Sequence, residues 1–82
     1  MSRNVLFTAR AEALAVSQVS AHAEVDRATC DAAIRDAVRV HGVRGCAAVL
    51  AYEYGRDPDV VVHRMRWATR TVAALYGYAD AA

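Results

Sequence analysis

The feature that most constrains the fold is a helical repeat of apolar residues in two long stretches of the chain. In the first stretch, residues every three or four positions form one stripe: Cys30, Ala33, Ile34, Ala37, Val38 and His41. In the second, the same spacing continues along Val61, Met65, Ala68, Val72, Leu75 and Tyr76. Because a period of about 3.6 residues places such side chains on one helical face, both stretches are predicted to be amphipathic helices.

Local signals predict where these two helices begin and end. Asp26 is a suitable N-cap for the first helix, and Gly42 is predicted to end it, because glycine adopts the left-handed cap conformation without steric cost. The second helix is predicted to begin at Asp57, whose carboxylate can cap free amides, followed by Pro58, whose backbone angle already suits a helix. Three adjacent valines at residues 60–62 suggest a strand instead, but the cap before them favours the helix.

Two further helices are predicted from shorter patterns. One covers residues from about Asn4 to Val16, where apolar residues share one face. The other is short, covers Arg44 to Tyr54 and ends at Gly55. The sequence leaves open whether residues 17–25 form loop or helix. The expected fold is an all-α bundle of three or four helices in a single domain covering residues 1–82.

Composition narrows the class of protein. A chain of 82 residues can bury only a modest core, and its 56% of hydrophobic residues consists largely of alanine. Packing between helices, and against a second copy, is therefore expected to supply stability. Charged residues make up 23% of the chain, an ordinary fraction for a folded domain. No run of about 18 uncharged apolar residues is present, so no membrane span is expected.

The cysteines and the N-terminal residues predict a compartment. Cys30 and Cys46 are too few for the disulfide framework of a small secreted domain. The first residues also lack the long apolar core of a signal peptide. We therefore expect a cytoplasmic protein with both thiols reduced.

All ten basic residues are arginine, and the formal net charge is +1. A genome rich in G and C explains this together with the abundant alanine and valine. Alternatively, arginine is used because its planar guanidinium binds phosphate or carboxylate through two parallel donors. A net charge of +1 is low for strong sequence-independent binding to nucleic acid.

The order of the predicted helices from about Ala33 to Leu75 is a long helix, a short helix, a tight turn and a final basic helix. In tri-helical DNA-binding proteins of the helix-turn-helix family, the middle helix has alanine four residues before a turn glycine, where two helices cross closely. Ala51 and Gly55 keep that spacing. The segment therefore resembles the helix-turn-helix family, although Arg56 stands where an apolar residue is usual and residues 58–59 give the last helix a rigid, acidic start.

This resemblance implies that the last helix enters the major groove of double-stranded DNA and reads bases with its exposed side chains. Residues 60–79 contain three arginines and no acidic residue. The implied contacts are base readers at His63, Arg64, Arg66 and Arg70, and phosphate contacts at Arg44 and Arg56. Because the net charge is low, a homodimer is expected to gather enough phosphate contacts.

The alternative function is protein binding or self-association without any nucleic acid, as in an adaptor, an antitoxin-like protein or an inhibitor. Trp67, Tyr76 and Tyr78 are the candidate interface residues, because aromatic side chains concentrate in protein interfaces. The simplest alternative of all is that Trp67 anchors the core and that the arginines form a solvated face.

Catalysis is not expected. His22, His41 and His63 lie about twenty residues apart without metal-type spacing, and the cysteines do not form a CxxC pair. The four glycines do not form a phosphate-binding loop. We therefore predict a non-enzymatic regulatory module without metal or cofactor, which binds DNA or, as the alternative, a protein partner.

Overall fold

The computed structural model describes residues 2–77, apart from the side chain of Arg3, and has three helices. These are α1 (Arg3–Val16), α2 (Arg27–Arg56) and α3 (Pro58–Tyr76). No strand occurs in this part of the chain, so residues 60–62 are helical. The predicted all-α bundle is confirmed.

Helix α2 is bent at Gly42, where the backbone has φ 73° and ψ 165°. This conformation is essentially restricted to glycine, because any Cβ would clash with the backbone. We call residues 27–41 the first arm of α2 and residues 43–56 its second arm. The two helices that the sequence predicted on either side of Gly42 are these two arms, and the second arm continues past Gly55 to Arg56.

Side chains at the helix starts explain where each helix begins. The Asp26 carboxylate accepts a hydrogen bond from the Thr29 amide at 2.8 Å, and Asp57 accepts one from the Val60 amide at 3.4 Å. These bonds satisfy amides that have no partner within their own helix. At the other end, α3 stops at Gly77, which is left-handed with φ 72°. Both predicted N-caps are present.

The segment between α1 and α2 is a loop, which settles the alternative left open for residues 17–25. Its first turn is held by the Ser17 hydroxyl, which donates a hydrogen bond to the Leu14 carbonyl at 2.6 Å. The same oxygen accepts a bond from the Val19 amide at 3.3 Å. Serine therefore competes with the helical bonding pattern at the point where α1 ends.

The main core lies where the three helices meet. Its buried members are Ala11, Leu14, Ala15, Cys30, Trp67, Ala68 and Val72. A smaller cluster of Ala13, Ala37 and Cys46 joins α1 to both arms of α2. Many of these side chains are small, so the helices can approach closely, and much of the buried area comes from a few larger residues.

Both cysteines are buried and neither forms a disulfide. Burial raises the pKa of the Cys30 and Cys46 thiols, because it disfavours the charged thiolate. They act as small apolar core residues. Over residues 2–77, no helix combines the length and the apolar character needed to span a bilayer.

Candidate interaction surface on the third helix

Helix α3 has one buried face and one exposed face. Val61, Trp67, Ala68 and Val72 are buried against the rest of the bundle. Another set of residues on α3 is exposed and recurs at helical spacing, and we call it the outer face of α3: Asp59, Val62, Arg66, Thr69 and Arg70. This face contains both apolar and charged side chains.

A shallow groove of about 490 Å³ runs between α3 and the second arm of α2. We call it the α2–α3 groove. Its apolar lining residues are Tyr54, Val61, Val62 and Met65, and its polar lining residues are Arg66, Thr69 and Arg70. The outer face of α3 therefore forms one side of an apolar depression.

Large apolar side chains are exposed on the second arm of α2 and at the start of α3. Tyr52 is 66% exposed, Tyr54 55%, Val60 52% and Val62 37%. Single exposed apolar residues are common on protein surfaces, but contiguous groups typically mark a binding surface. Tyr54 and Val62 both line the groove, so these two exposed apolar side chains form part of one patch.

Arg66 and Arg70 lie on this patch, one helical turn apart. Both side chains are exposed, and neither forms an ion pair or a side-chain hydrogen bond with any residue in the described range. Because a guanidinium presents several donors in a plane, this pair is suited to bind carboxylates or phosphates from another molecule.

The other predicted arginines are placed differently. Arg56 lies 3.4 Å from the Glu53 carboxylate and 5.7 Å from the centre of the Tyr52 ring. Arg44 is exposed near the start of the second arm of α2. Twelve residues separate it from Arg56, which is about 18 Å along a helix. These two arginines therefore do not form one compact patch with each other.

Arg64 is directed away from the outer face, toward the end of α1. Its Nε donates to the Ala15 carbonyl at 2.6 Å, and its NH2 group donates to Ser17 and Val19 carbonyls at 3.0 and 2.9 Å. The same group lies 3.5 Å from the Leu14 carbonyl oxygen. Burial lowers the pKa of this guanidinium. Arg64 is thus engaged within the bundle, away from the exposed pair predicted to act with it.

The sequence contains a signal for this difference. Arg64 lies three residues after Val61 and four before Ala68, and both of these are buried. The helical period therefore places Arg64 at the edge of the buried face, where a charged group must find acceptors in the protein. The carbonyls at the end of α1 supply them.

The remaining predicted reader, His63, is exposed, and its ring centre lies 5.6 Å from that of His22 in the loop before α2. In the part of the chain that the structure describes, no three histidine, cysteine or acidic side chains are grouped so that they could hold a metal ion.

Two of the three predicted aromatic interface residues make their contacts within the bundle. Trp67 is 5% exposed and belongs to the core. The Tyr76 ring is stacked between the Arg10 and Arg27 guanidiniums at 4.2 and 4.3 Å. Its hydroxyl donates a hydrogen bond to Asp31, and burial together with this bond raises the pKa of Tyr76. Tyr78 lies outside the described residues. The exposed aromatic residue that lines the groove is instead Tyr54, which sequence reasoning did not select for the site.

The features that suggested a helix-turn-helix do not lie at a helix crossing. Ala51 is exposed, and nothing lies within 4 Å of where a Cβ on Gly55 would stand. Only Asp57 separates α2 from α3, whereas the family joins its two helices by a turn of about three or four residues. The structure gives no evidence for a helix-turn-helix unit.

Comparisons with protein-family models, with curated proteins and with solved structures found no match for this chain.

Proposed function

We propose that this chain is a protein-interaction module whose docking site is the α2–α3 groove. The observation that carries the proposal is an exposed apolar depression with two unpaired arginines on one side. The partner that fits it is a protein surface with apolar side chains at its centre and carboxylates at its edge.

The apolar part of the groove supplies a driving force for docking. Each Å² of apolar surface removed from water contributes about 25 cal/mol, and part of this gain is offset by the cost of ordering two molecules. Tyr54, Val62 and Met65 offer side chains of the kind that interfaces bury at their centres. The arginines favour carboxylate-bearing partners and exclude basic ones, so they act mainly on specificity.

DNA binding is the second candidate, and the unpaired Arg66 and Arg70 on one exposed face favour it. Other features of the same helix weigh against it. Asp57 and Asp59 place negative charge at the end of α3 that a recognition helix would present to bases. The exposed Val62 beside the arginines adds apolar surface where phosphates would lie.

The substitution Val62→Arg separates the two candidates. Val62 is already partly exposed, so the change should leave the fold intact. It places a charge in the apolar groove, so the affinity for a protein partner should fall by at least about tenfold. DNA binding should instead be unchanged or stronger, because a cation is added to the surface. Val40→Arg, at a valine that is 71% exposed and outside the groove lining, is the matched control.

The measurement has two steps. The wild-type chain is used to capture partners from extracts of its source cells, and an identified partner is then titrated by calorimetry with each purified variant. Equal affinity of the wild type and Val62→Arg would overturn the proposal. Binding only to a labelled DNA duplex, falling steeply with salt and lost in an Arg66→Ala/Arg70→Ala double variant, would establish the second candidate in its place.

A further inference from the structure

We infer that the α2–α3 groove binds a second copy of this chain, with the two α3 helices packed antiparallel about a two-fold axis. This inference rests on the proposed function, because it names the protein that occupies the docking site.

The charges on the outer face of α3 are arranged with opposite signs at its two ends. Asp59 lies in the first turn, and Arg70 follows eleven residues later, which is about 16 Å along the helix. Neither side chain forms an ion pair inside the described part of the protein. A surface of this kind is electrostatically complementary to its own antiparallel copy.

A two-fold axis near the midpoint of this interval, at residues 64–65, brings Asp59 of each copy opposite Arg70 of the other. Two equivalent ion pairs then form, as expected for an interface in which the same patch is used twice. Arg66 lies on the same face within two residues of the axis, so its long side chain must extend toward the Asp59 carboxylate of the other copy and away from that copy's Arg66. A parallel arrangement would instead place like charges together, which is unfavourable.

The same axis brings apolar residues together at the centre. Val62 lies on the outer face within one turn of the midpoint, and Met65, which also packs against the core, lines the groove beside it, so the second copy would cover both. Tyr54, from the second arm of α2, lines the groove next to them. Val62 and Tyr54 thus supply the apolar part of the interface, and Asp59 and Arg70 supply its charged ends. The formal net charge of +1 adds little repulsion between copies.

Charge exchange tests this arrangement in the full-length chain. By sedimentation, the wild type should dimerise with a dissociation constant below about 1 mM. Asp59→Arg and Arg70→Asp should each weaken the dimer by at least about tenfold, because each places like charges opposite one another. The double variant with both substitutions restores complementarity and should dimerise like the wild type. A mixture of the two single variants should form a heterodimer more readily than either forms a homodimer.

Arg44→Asp is the matched control for charge, because it makes the same change at an exposed arginine outside the groove lining. It should leave dimerisation within about twofold of the wild type. A second measurement does not depend on the folding of Asp59→Arg. Arg66→Cys places a thiol on the outer face within two residues of the axis and should give a disulfide-linked dimer on mild oxidation, whereas Val40→Cys should not.

The outcomes also separate this inference from the proposed function. A wild type that stays monomeric up to about 1 mM overturns the second copy as occupant. If Val62→Arg still abolishes binding of an identified partner, the groove remains a docking site for another protein. If Val62→Arg changes neither self-association nor partner binding, both the inference and the proposed function fail. Failure of the double variant and of the mixture to restore dimers overturns the antiparallel arrangement.

Discussion

Arg64→Ala removes the donor that satisfies carbonyls at the end of α1 and in the loop after it. Three of its contacts, to Ala15, Ser17 and Val19, lie between 2.6 and 3.0 Å. A hydrogen bond with one charged partner contributes about 1.5–3 kcal/mol, but water can reach these partly buried carbonyls once the side chain is gone. The three contributions therefore do not add fully, and we expect the free energy of unfolding to fall by about 2–4 kcal/mol.

That loss is large relative to the stability of a domain of this size. At about 0.05–0.15 kcal/mol per residue, a chain of 82 residues has a free energy of unfolding of about 4–12 kcal/mol. Each kcal/mol corresponds to about 4–8 °C in melting temperature for such a domain, so Arg64→Ala should lower Tm by about 8–32 °C. The side chain also lies 5.2 Å from the centre of the Trp67 ring, so tryptophan fluorescence should report the change.

The matched control is Arg66→Ala, two residues further along the same helix. Its side chain is exposed and unpaired within the described range, so the free energy of unfolding should change by less than about 0.5 kcal/mol. Arg64→Lys keeps the charge but not the planar fork of donors, and its stability should be intermediate. Urea unfolding followed by circular dichroism and fluorescence gives all three values. Equal stability of Arg64→Ala and Arg66→Ala would refute the reasoning.

Three further predictions concern the backbone, a cap and a partly buried acid, and urea unfolding measures each. Gly42→Ala should lower the free energy of unfolding by about 1–3 kcal/mol, because alanine is strained at the backbone angles of Gly42. Gly55→Ala is the control: this position is helical and has room for a Cβ, so the free energy of unfolding should rise by up to about 1 kcal/mol. A lower stability of Gly55→Ala would contradict this reasoning. Asp57→Ala should cost about 0.5–2 kcal/mol, because the Val60 amide loses its acceptor, and no loss would show that the cap is dispensable. Burial raises the pKa of Glu12, because it disfavours the charged carboxylate. The folded protein therefore loses stability as the pH rises through that pKa and Glu12 ionises. Glu12→Gln should therefore stabilise the protein at neutral pH but not below the ordinary carboxyl pKa, and an equal effect at both would contradict the assignment.

Much of the fold could be predicted because its signals are local. The caps at Asp26 and Asp57 each depend on a side chain and an amide three residues later, so sequence alone places them. The break at Gly42 was also predictable, since glycine tolerates its backbone angles. A helix on each side of this break was predicted as well, and the structure has both as the two arms of α2, whereas the angle between the arms depends on packing between distant residues.

The site was less predictable because it depends on which helices meet. The spacing of Ala51 and Gly55 fits a close crossing, but spacing does not show whether a second helix is there, and the structure leaves both positions open. Similarly, Arg64 and Arg66 are both basic residues on one helix. Only the helical phase relative to the buried residues separates them, and the identity of the acceptors for Arg64 requires knowing where α1 ends.

The acceptors of Arg64 lie 45 to 50 residues earlier in the chain, so this bonding forms only after α3 has packed against α1. Closing so long a loop costs entropy before the contacts repay it. Interactions that form after the rate-limiting step mainly slow unfolding and have little effect on the rate of folding. We therefore expect Arg64→Ala to speed unfolding more than it slows folding, and to make the protein more sensitive to proteases that cleave opened chains.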